Sequence, residues 1–86
     1  MRSIAFHADA YEEFTEWARI DKKIFERIDN LIRESLRTPF SGTGRPEPLK
    51  YKFKGCWSRR ITDEHRLIYT VSDDFITIVS CRSHYK

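Results

Sequence analysis

The chain has 86 residues, and its twelve aromatic side chains suffice for one small domain, residues 1–86, with a large buried area per residue. It has no apolar run long enough to span a membrane and no apolar signal segment at its N-terminus, so the sequence predicts a cytoplasmic protein without membrane association. The formal net charge of +3 is unevenly divided: residues 1–44 sum to −1 and residues 45–86 to +4, so the C-terminal half is the one expected to meet a polyanion.

The N-terminal part predicts a short strand followed by a helix. Residues 3–7 are apolar enough for an opening strand, and residues 8–19 have apolar side chains at three- and four-residue steps. These side chains are Tyr11, Phe14, Trp17 and Ala18. Asp9 and Glu12 are compatible with a capping box at the start of this helix, and its acidic residues are interpreted as a solvated face.

A second helix is the clearest local prediction. Asp21 is expected to be its N-cap, and its apolar side chains fall on one broad stripe. The stripe contains Ile24, Phe25, Ile28, Leu31, Ile32 and Leu36. The helix should end at or just before Thr38, because Pro39 disfavours helical backbone at the residue that precedes it. Two helices joined by one short connection predict a helical hairpin that covers an apolar surface.

A loop rich in Gly and Pro, residues 39–48, leads to four strand-like runs. They are residues 49–53, 57–61, 65–71 and 75–81. The short joints between them indicate an antiparallel meander. The sequence therefore predicts an α+β fold in which two N-terminal helices pack on a mainly antiparallel, twisted sheet of four to five strands. The side chains expected to face the helices are Tyr51, Phe53, Trp57, Ile61, Leu67, Tyr69 and Val71. Those expected on the opposite, basic face are Lys50, Lys52, Arg60 and Arg66.

Arg60 and Arg66 are the centre of the functional interpretation. If their two strands pair through a turn at residues 62–64, both guanidinium groups lie close together on one face. Two neighbouring like charges repel each other, so an anion, and in particular a phosphate, is their natural ligand. Arg59 and Arg82 are interpreted as solvated charges or as contacts to RNA.

The cysteines and histidines are not expected to hold a metal ion. In a cytoplasmic protein Cys56 and Cys81 should be reduced thiols rather than a disulfide. Zinc sites generally pair their ligands at close spacing, and only Cys81 and His84 have that spacing. His65 should point away from the basic face and is interpreted as a structural residue.

The basic face and the C-terminal tail together contain the groups that cleavage of RNA by internal transfer requires. This reaction needs a base for the 2′-hydroxyl proton, cations for the charge-rich phosphorane, an acid for the leaving 5′-oxygen and a support for the bases. Glu47 is the candidate base, and His84 is the candidate acid. The candidate cations are Lys50, Arg60 and Arg66, and Tyr85 is the candidate stacking partner.

The side-chain direction of Glu47 depends on the loop that contains it. A strand that begins at Glu47 would place its side chain with that of Leu49 towards the helices, unless the proline-bounded loop redirects it. In the alternative arrangement, Lys50 assists the proton transfer and Glu47 mainly orients the lysine.

Three long motifs carry a family resemblance. They are residues 38–50 (TPFSGTGRPEPLK), residues 55–69 (GCWSRRITDEHRLIY) and residues 81–85 (CRSHY). Together they resemble the YoeB (Txe) toxins of the RelE superfamily, over nearly the whole chain, in order and without large gaps. The resemblance implies the RelE-like microbial RNase fold. It also implies an endoribonuclease toxin of a type II toxin–antitoxin pair that needs no cofactor.

The resemblance further implies partners and a site. The toxin would cut mRNA in the ribosomal A site, surrounded by 16S and 23S rRNA, and a YefM-type protein antitoxin would neutralise it. A homodimer is also suggested by the resemblance. Matched to the family motifs, the catalytic residues are Glu47, Arg66 and His84, and the substrate-binding residues are Lys50, Arg60 and Tyr85.

Two other functions fit the same surface. A noncatalytic module would use the basic face to hold RNA or operator DNA, with salt-sensitive binding and no strand scission. A purely structural partner of an antitoxin would use the same face only for assembly. The tail favours the enzyme, because a binding module has little use for a His-Tyr pair beside its arginines and lysines.

Overall fold

The computed structural model describes residues 1–83, in which two helices lie against a five-stranded sheet. The elements in chain order are β1 (Ser3–Phe6), α1 (Ala8–Ile20), α2 (Lys22–Arg37), β2 (Glu47–Pro48), a 3-10 turn (Tyr51–Phe53), β3 (Trp57–Arg60), β4 (Arg66–Val71) and β5 (Phe75–Ser83). The strands lie in the order β1-β5-β4-β3-β2. None of the helices in residues 1–83 is both long enough and apolar enough to cross a membrane.

The sheet is antiparallel except at one edge. β2, β3, β4 and β5 form a meander of antiparallel neighbours, whereas β1 runs parallel to β5, with Ser3 opposite Phe75. A parallel neighbour requires a crossover connection, and the chain that leaves β1 enters the helical hairpin before it returns to the sheet. The predicted α+β fold with a mainly antiparallel sheet is confirmed.

α2 begins and ends where the sequence predicts. The Asp21 carboxylate accepts hydrogen bonds from the backbone N–H groups of Lys23 at 3.1 Å and Ile24 at 3.3 Å. At the other end the helix stops at Arg37, and the Thr38 N–H donates to the carbonyl of Glu34 at 2.9 Å. The predicted apolar stripe faces the sheet, with Ile28, Leu31 and Ile32 buried and the remaining members packed around them.

Asp21→Ala is expected to lower the free energy of unfolding by about 1 kcal/mol, the usual cost of losing an N-cap. The substitution leaves two backbone N–H groups at the start of α2 without their acceptor. Urea-induced unfolding measures the difference, and Asp21→Asn is the control because its amide oxygen still caps the helix. An alanine variant as stable as the wild type would show that water replaces the cap at no cost.

The predicted features of α1 are wrong at two places. Its N-cap is His7, which makes no side-chain capping bond, so Asp9 and Glu12 do not form a capping box. Its acidic face is also not simply solvated: Glu13 accepts hydrogen bonds from the Cys81 N–H at 2.9 Å and the Ser80 hydroxyl at 3.2 Å. These bonds attach α1 to β5, a long-range pairing that no pattern within the helix indicates.

Residues 49–53 do not form the predicted strand. β2 ends at Pro48, and the chain then closes into the short 3-10 turn, with Lys54 N–H donating to the carbonyl of Tyr51 at 3.0 Å. Tyr51 has a φ of 58° and is 88% exposed, so it is not a core residue. The alternation of Lys with apolar residues predicted a strand here, and that prediction is wrong. Local hydrogen bonds around Gly55 hold the segment in a turn despite its period-two pattern.

The core lies between the helical hairpin and the three central strands. Its centre is buried side chains of α1, α2, β4 and β5, joined by Ile61 after β3. They are Ala10, Trp17, Ile28, Leu31, Ile32, Ile61, Leu67, Tyr69, Ile76, Ile78 and Cys81. Trp17 is 7% exposed and Trp57 packs against this cluster, so both tryptophans are core residues. Burial raises the pKa of the Cys81 thiol to about 12, and this thiol, like that of Cys56, is free.

Candidate active site

The β3–β4 hairpin brings the two central arginines together. In its register Trp57 lies opposite Tyr69, and Arg60 lies directly opposite Arg66. The connecting turn is held by the Thr62 hydroxyl, which accepts hydrogen bonds from the Glu64 and His65 N–H groups at 3.1 and 3.0 Å. The prediction that Arg60 and Arg66 are neighbours on one face is confirmed, because the two residues are paired and line the same cavity.

The two guanidinium groups are held differently. Nη1 of Arg66 donates to the carbonyl of Thr62 at 2.9 Å, so the turn orients this side chain. Within residues 1–83 all the hydrogen bonds of this guanidinium are made by Nη1, so Nε and Nη2 are left for a ligand. Arg60 has a side chain that is 43% exposed and stands 4.0 Å from the exposed carboxylate of Asp63. A pair this open to solvent contributes little, so Arg60 is available to an anion.

β2 places Glu47 beside these arginines. Glu47 pairs with Ser58 of β3, two residues from Arg60. An open cavity of about 180 Å³ lies here. Its lining consists of Gly44, Arg45, Glu47, Ser58, Arg60 and Arg66. Although β2 begins at Glu47, this residue lines the cavity and does not lie on the side of the helices. Leu49 is buried, but it is not part of the cluster under the helices, so the shared parity of the two residues does not turn Glu47 inwards.

Arg45 is a cavity residue that the sequence reasoning missed. It is exposed, lines the cavity and has a φ of 53°, a backbone conformation that few residues other than glycine adopt. The signal was present as a basic residue two positions before Glu47. A segment rich in Gly and Pro is typical of a connection between elements, however, and gives no reason to single out Arg45.

Gly44 brings this loop close to β3. Its carbonyl accepts a hydrogen bond from the Arg60 N–H at 2.6 Å, and its φ is 86°. A Cβ at this position would lie 3.1 Å from the Arg59 Cβ and 3.2 Å from the Leu31 Cδ2, closer than most side-chain contacts. Only glycine therefore allows the loop to pass between α2 and β3 at this distance.

Arg59 is not the solvated charge or RNA contact that the sequence suggested. It is completely buried, and its Nη1 stands 2.6 Å from Oε2 of Glu34. Its other hydrogen bonds go to the Tyr69 hydroxyl and to loop carbonyls, those of Thr38, Ser41 and Thr43. Hydrogen bonds from Thr43, first from its N–H and then from its hydroxyl, lower the pKa of Glu34, and Arg59 acts in the same direction. The carboxylate is thus kept ionised opposite the buried guanidinium.

Arg82 and His65 are both packed against α1. Arg82 pairs with Glu16, and its guanidinium lies 5.2 Å from the centre of the Trp17 ring, so the interpretation of Arg82 as a solvated charge is wrong. The His65 ring stands edge-on to Trp17 with centroids 5.2 Å apart, in agreement with a structural role.

Of the remaining predicted site residues, one lies outside the lining of the cavity and two lie outside the described residues. Lys50 is exposed and precedes the 3-10 turn, outside the lining of the cavity. His84 and Tyr85 lie outside the described residues. Within residues 1–83 the arrangement is therefore one carboxylate and three guanidinium groups around an open space. This donor set suits a phosphate group, because planar guanidinium forks bind phosphate oxygens in pairs.

Comparison with known proteins places this chain among toxins. Residues 6–85 match the model of a family described as the YoeB-like toxin of bacterial type II toxin–antitoxin systems. A Toxin YoeB of Mycobacterium bovis is 52% identical over 85 residues, which cover 99% of this chain and all of that protein. A Toxin YoeB of Escherichia coli K12 is 49% identical over 77 residues, covering 90% of this chain and 92% of the relative.

Solved structures of YoeB toxins are similar to this chain in both fold and sequence. A YoeB/ParE toxin from Agrobacterium tumefaciens superposes with a TM-score of 0.92 at 42% identity, covering 99% of this chain and 100% of the other. A YoeB dimer from Staphylococcus aureus gives 0.91 at 41% identity, with 98% of each chain covered. The toxin in a heterotetrameric YoeB–YefM toxin–antitoxin complex from Staphylococcus aureus gives 0.88 at 41% identity, with 99% of each covered.

Proposed function

The chain belongs to the family of YoeB-like toxins of bacterial type II toxin–antitoxin systems, and we propose that it is an endoribonuclease that cuts mRNA in the ribosomal A site. The observation that carries this proposal is the hairpin register, which puts Arg60 opposite Arg66 beside the carboxylate of Glu47. A surface that only held RNA would need the cations but not a carboxylate, which repels phosphate.

The proposed reaction is an internal transfer at one phosphodiester. Glu47 takes the proton of the 2′-hydroxyl while the 2′-oxygen forms a bond to phosphorus. The bond from phosphorus to the 5′-oxygen breaks. His84 gives a proton to that departing oxygen, so the products are a 2′,3′-cyclic phosphate and a free 5′-hydroxyl. In this scheme no cofactor or metal ion is needed, because side chains supply both proton transfers and the countercharge.

The arginines act on the phosphorane. Nη1 of Arg66 is fixed to the turn carbonyl of Thr62, so its remaining nitrogens meet the substrate in one orientation. Preorganised donors of this kind stabilise developing charge without having to reorganise during the reaction. Arg60 supplies the second cation, and Lys50 approaches from the exposed 3-10 turn, either as a further cation or as the group that assists Glu47. Tyr85 stacks against a base of the mRNA.

The partners follow from the same proposal. The mRNA is presented by the ribosome, with 16S and 23S rRNA around it, so the toxin acts in the cytoplasm as a single domain. A YefM-type antitoxin neutralises it, and two toxin chains associate as a homodimer. The YoeB–YefM complex and the YoeB dimer from Staphylococcus aureus support these two associations.

Primer extension on an mRNA in a reconstituted translation reaction tests the proposal. We expect the wild type to cut within the A-site codon only when ribosomes are present, and His84→Gln to cut at least about 10²-fold more slowly, the usual range for losing a general acid. Ser72→Ala in the distant β4–β5 turn is the matched control, with an unchanged cutting pattern expected.

Each other outcome has a defined meaning. Cutting that persists in His84→Gln would keep the enzyme class but assign the proton donor to another group. Translation arrest without a cut strand would replace the enzyme by a noncatalytic binding module, and an effect on antitoxin assembly alone would leave only a structural partner.

A further inference from the structure

Neighbouring arginines of β3 serve opposite faces of the sheet. Arg60 lines the cavity, whereas Arg59 is completely buried on the side of α2. A buried guanidinium is costly unless all its donors are satisfied, and Arg59 has partners for Nε, Nη1 and Nη2. The proposed reaction does not use this side chain, so its elaborate bonding needs another explanation.

The bonds of Arg59 converge on the loop between α2 and β2. Three of its acceptors are backbone carbonyls of that loop, those of Thr38, Ser41 and Thr43. Its other partners hold the same loop. The Glu34 carboxylate accepts from the Thr43 N–H at 2.6 Å and from the Thr43 hydroxyl at 2.9 Å. The Tyr69 hydroxyl donates to the carbonyl of Pro39 at 2.7 Å. We call Arg59, Glu34 and Tyr69 the loop clamp.

The clamped segment leads directly into the cavity. Thr43 is followed by Gly44, whose carbonyl is fixed to the Arg60 N–H, and by Arg45 on the cavity wall. Pro46 then joins this wall to Glu47, and its ring restricts the backbone between them. The clamp therefore acts four residues before the proposed base, with little freedom in between.

We propose that the loop clamp is a positioning device that sets the Glu47 carboxylate against the phosphate held by Arg60 and Arg66. This inference rests on the proposed function. Arg59, Glu34 and Tyr69 do not touch the substrate; they determine where the base stands. A displacement of a base by about 1 Å can cost about 10²-fold in rate, whereas the phosphate contacts that dominate binding stay in place.

The test uses two variants that remove a charge or a hydroxyl from the loop clamp and keep its buried side chains in place. Glu34→Gln removes the charge opposite Arg59, and Tyr69→Phe removes only the hydroxyl that joins Arg59 to Pro39. Asp29→Asn is the control, because Asp29 pairs with Arg33 on the exposed side of the same helix, at 3.1 Å. Thermal unfolding first establishes that each variant is folded, and Tyr69→Phe carries the test if Glu34→Gln is not.

We expect both clamp variants to lose at least about tenfold in kcat for ribosome-dependent cutting, with KM changed less than about threefold. In single-turnover reactions with Glu47→Gln as background, Glu34→Gln should cause no further loss, because the clamp acts through the base. Hydrogen exchange of the Arg60 N–H should be accelerated in Glu34→Gln and unchanged in Asp29→Asn, since its acceptor is the carbonyl of Gly44.

Contrary results separate this inference from the proposed function. A wild type that does not cut ribosome-bound mRNA would refute the proposed function, while exchange at Arg60 would still report on the clamp. If the wild type cuts, but the rate losses of Glu34→Gln and Glu47→Gln multiply in the double variant, the positioning role of the clamp is refuted and the proposed function is not. Unchanged exchange at Arg60 in both clamp variants would refute it as well.

Discussion

Arg66→Ala is expected to slow cutting of ribosome-bound mRNA by about 10²–10³-fold, the usual effect of removing one preorganised donor from a transition state. Arg66 is the cavity arginine whose orientation is fixed, through the bond from Nη1 to the carbonyl of Thr62. The fold should survive, because the Thr62 hydroxyl still accepts from the Glu64 and His65 N–H groups, and the Ile61 N–H still donates to the carbonyl of His65. Single-turnover cutting and thermal unfolding, measured on the same preparations, test both parts.

Arg66→Lys and Arg33→Ala provide the matched comparisons. Lysine keeps the charge but loses the planar fork, so its activity should lie between those of the wild type and the alanine variant. Arg33 is an exposed arginine of α2 with a side chain that is 72% accessible, and its loss should leave cutting unchanged. Full activity of Arg66→Ala would contradict the proposed site, whatever happened to the other variants.

Arg59→Ala is expected to lower the free energy of unfolding by about 3–5 kcal/mol, the range for removing one partner of a buried ion pair. The side chain is completely buried, so its removal opens a cavity, leaves loop carbonyls and the Tyr69 hydroxyl without their donor, and leaves the Glu34 carboxylate without its countercharge. Roughly 4–13 kcal/mol is the whole stability expected for a chain of this length, so this variant loses a large share of it. Urea unfolding at neutral pH measures the change.

The comparison for this variant is again Arg33→Ala, which breaks the exposed pair with Asp29. Exposed pairs of this kind contribute about 0.3–0.5 kcal/mol, so the two alanine substitutions should differ several-fold in their cost. A loss below about 1 kcal/mol in Arg59→Ala would mean that water replaces the buried guanidinium in full. The loop would then not depend on this side chain for its position.

Much of this fold was predictable because its decisive signals are local. Asp21 caps α2 by accepting from N–H groups only two and three positions further along the chain. Pro39 ends the same helix because its ring clashes with a helical backbone at Thr38. The apolar stripe of α2 repeats with the period of the helix, so it predicts which of its residues are buried even when the residues that they contact are unknown. The juxtaposition of Arg60 and Arg66 was equally accessible, since a three-residue turn and the parity of a strand determine it.

Several features that sequence reasoning missed depend on contacts between distant segments. Arg59 and Arg60 are identical neighbours in the sequence, yet one is buried against Glu34, which lies 25 positions earlier, and the other lines the cavity. Arg45 reaches the site because Gly44 bonds to β3, and Glu13 is bound to a strand more than 60 positions away.

The sequence by itself thus determined the helices, the mainly antiparallel sheet and the pair of arginines that face a phosphate. The tertiary structure alone decided which groups satisfy the buried Arg59, and how the loop carries Glu47 and Arg45 to the cavity. The physical reason is that periodicity and capping are properties of neighbouring residues. The cost of burying a charge depends instead on donors and acceptors that only the complete fold brings within hydrogen-bonding distance.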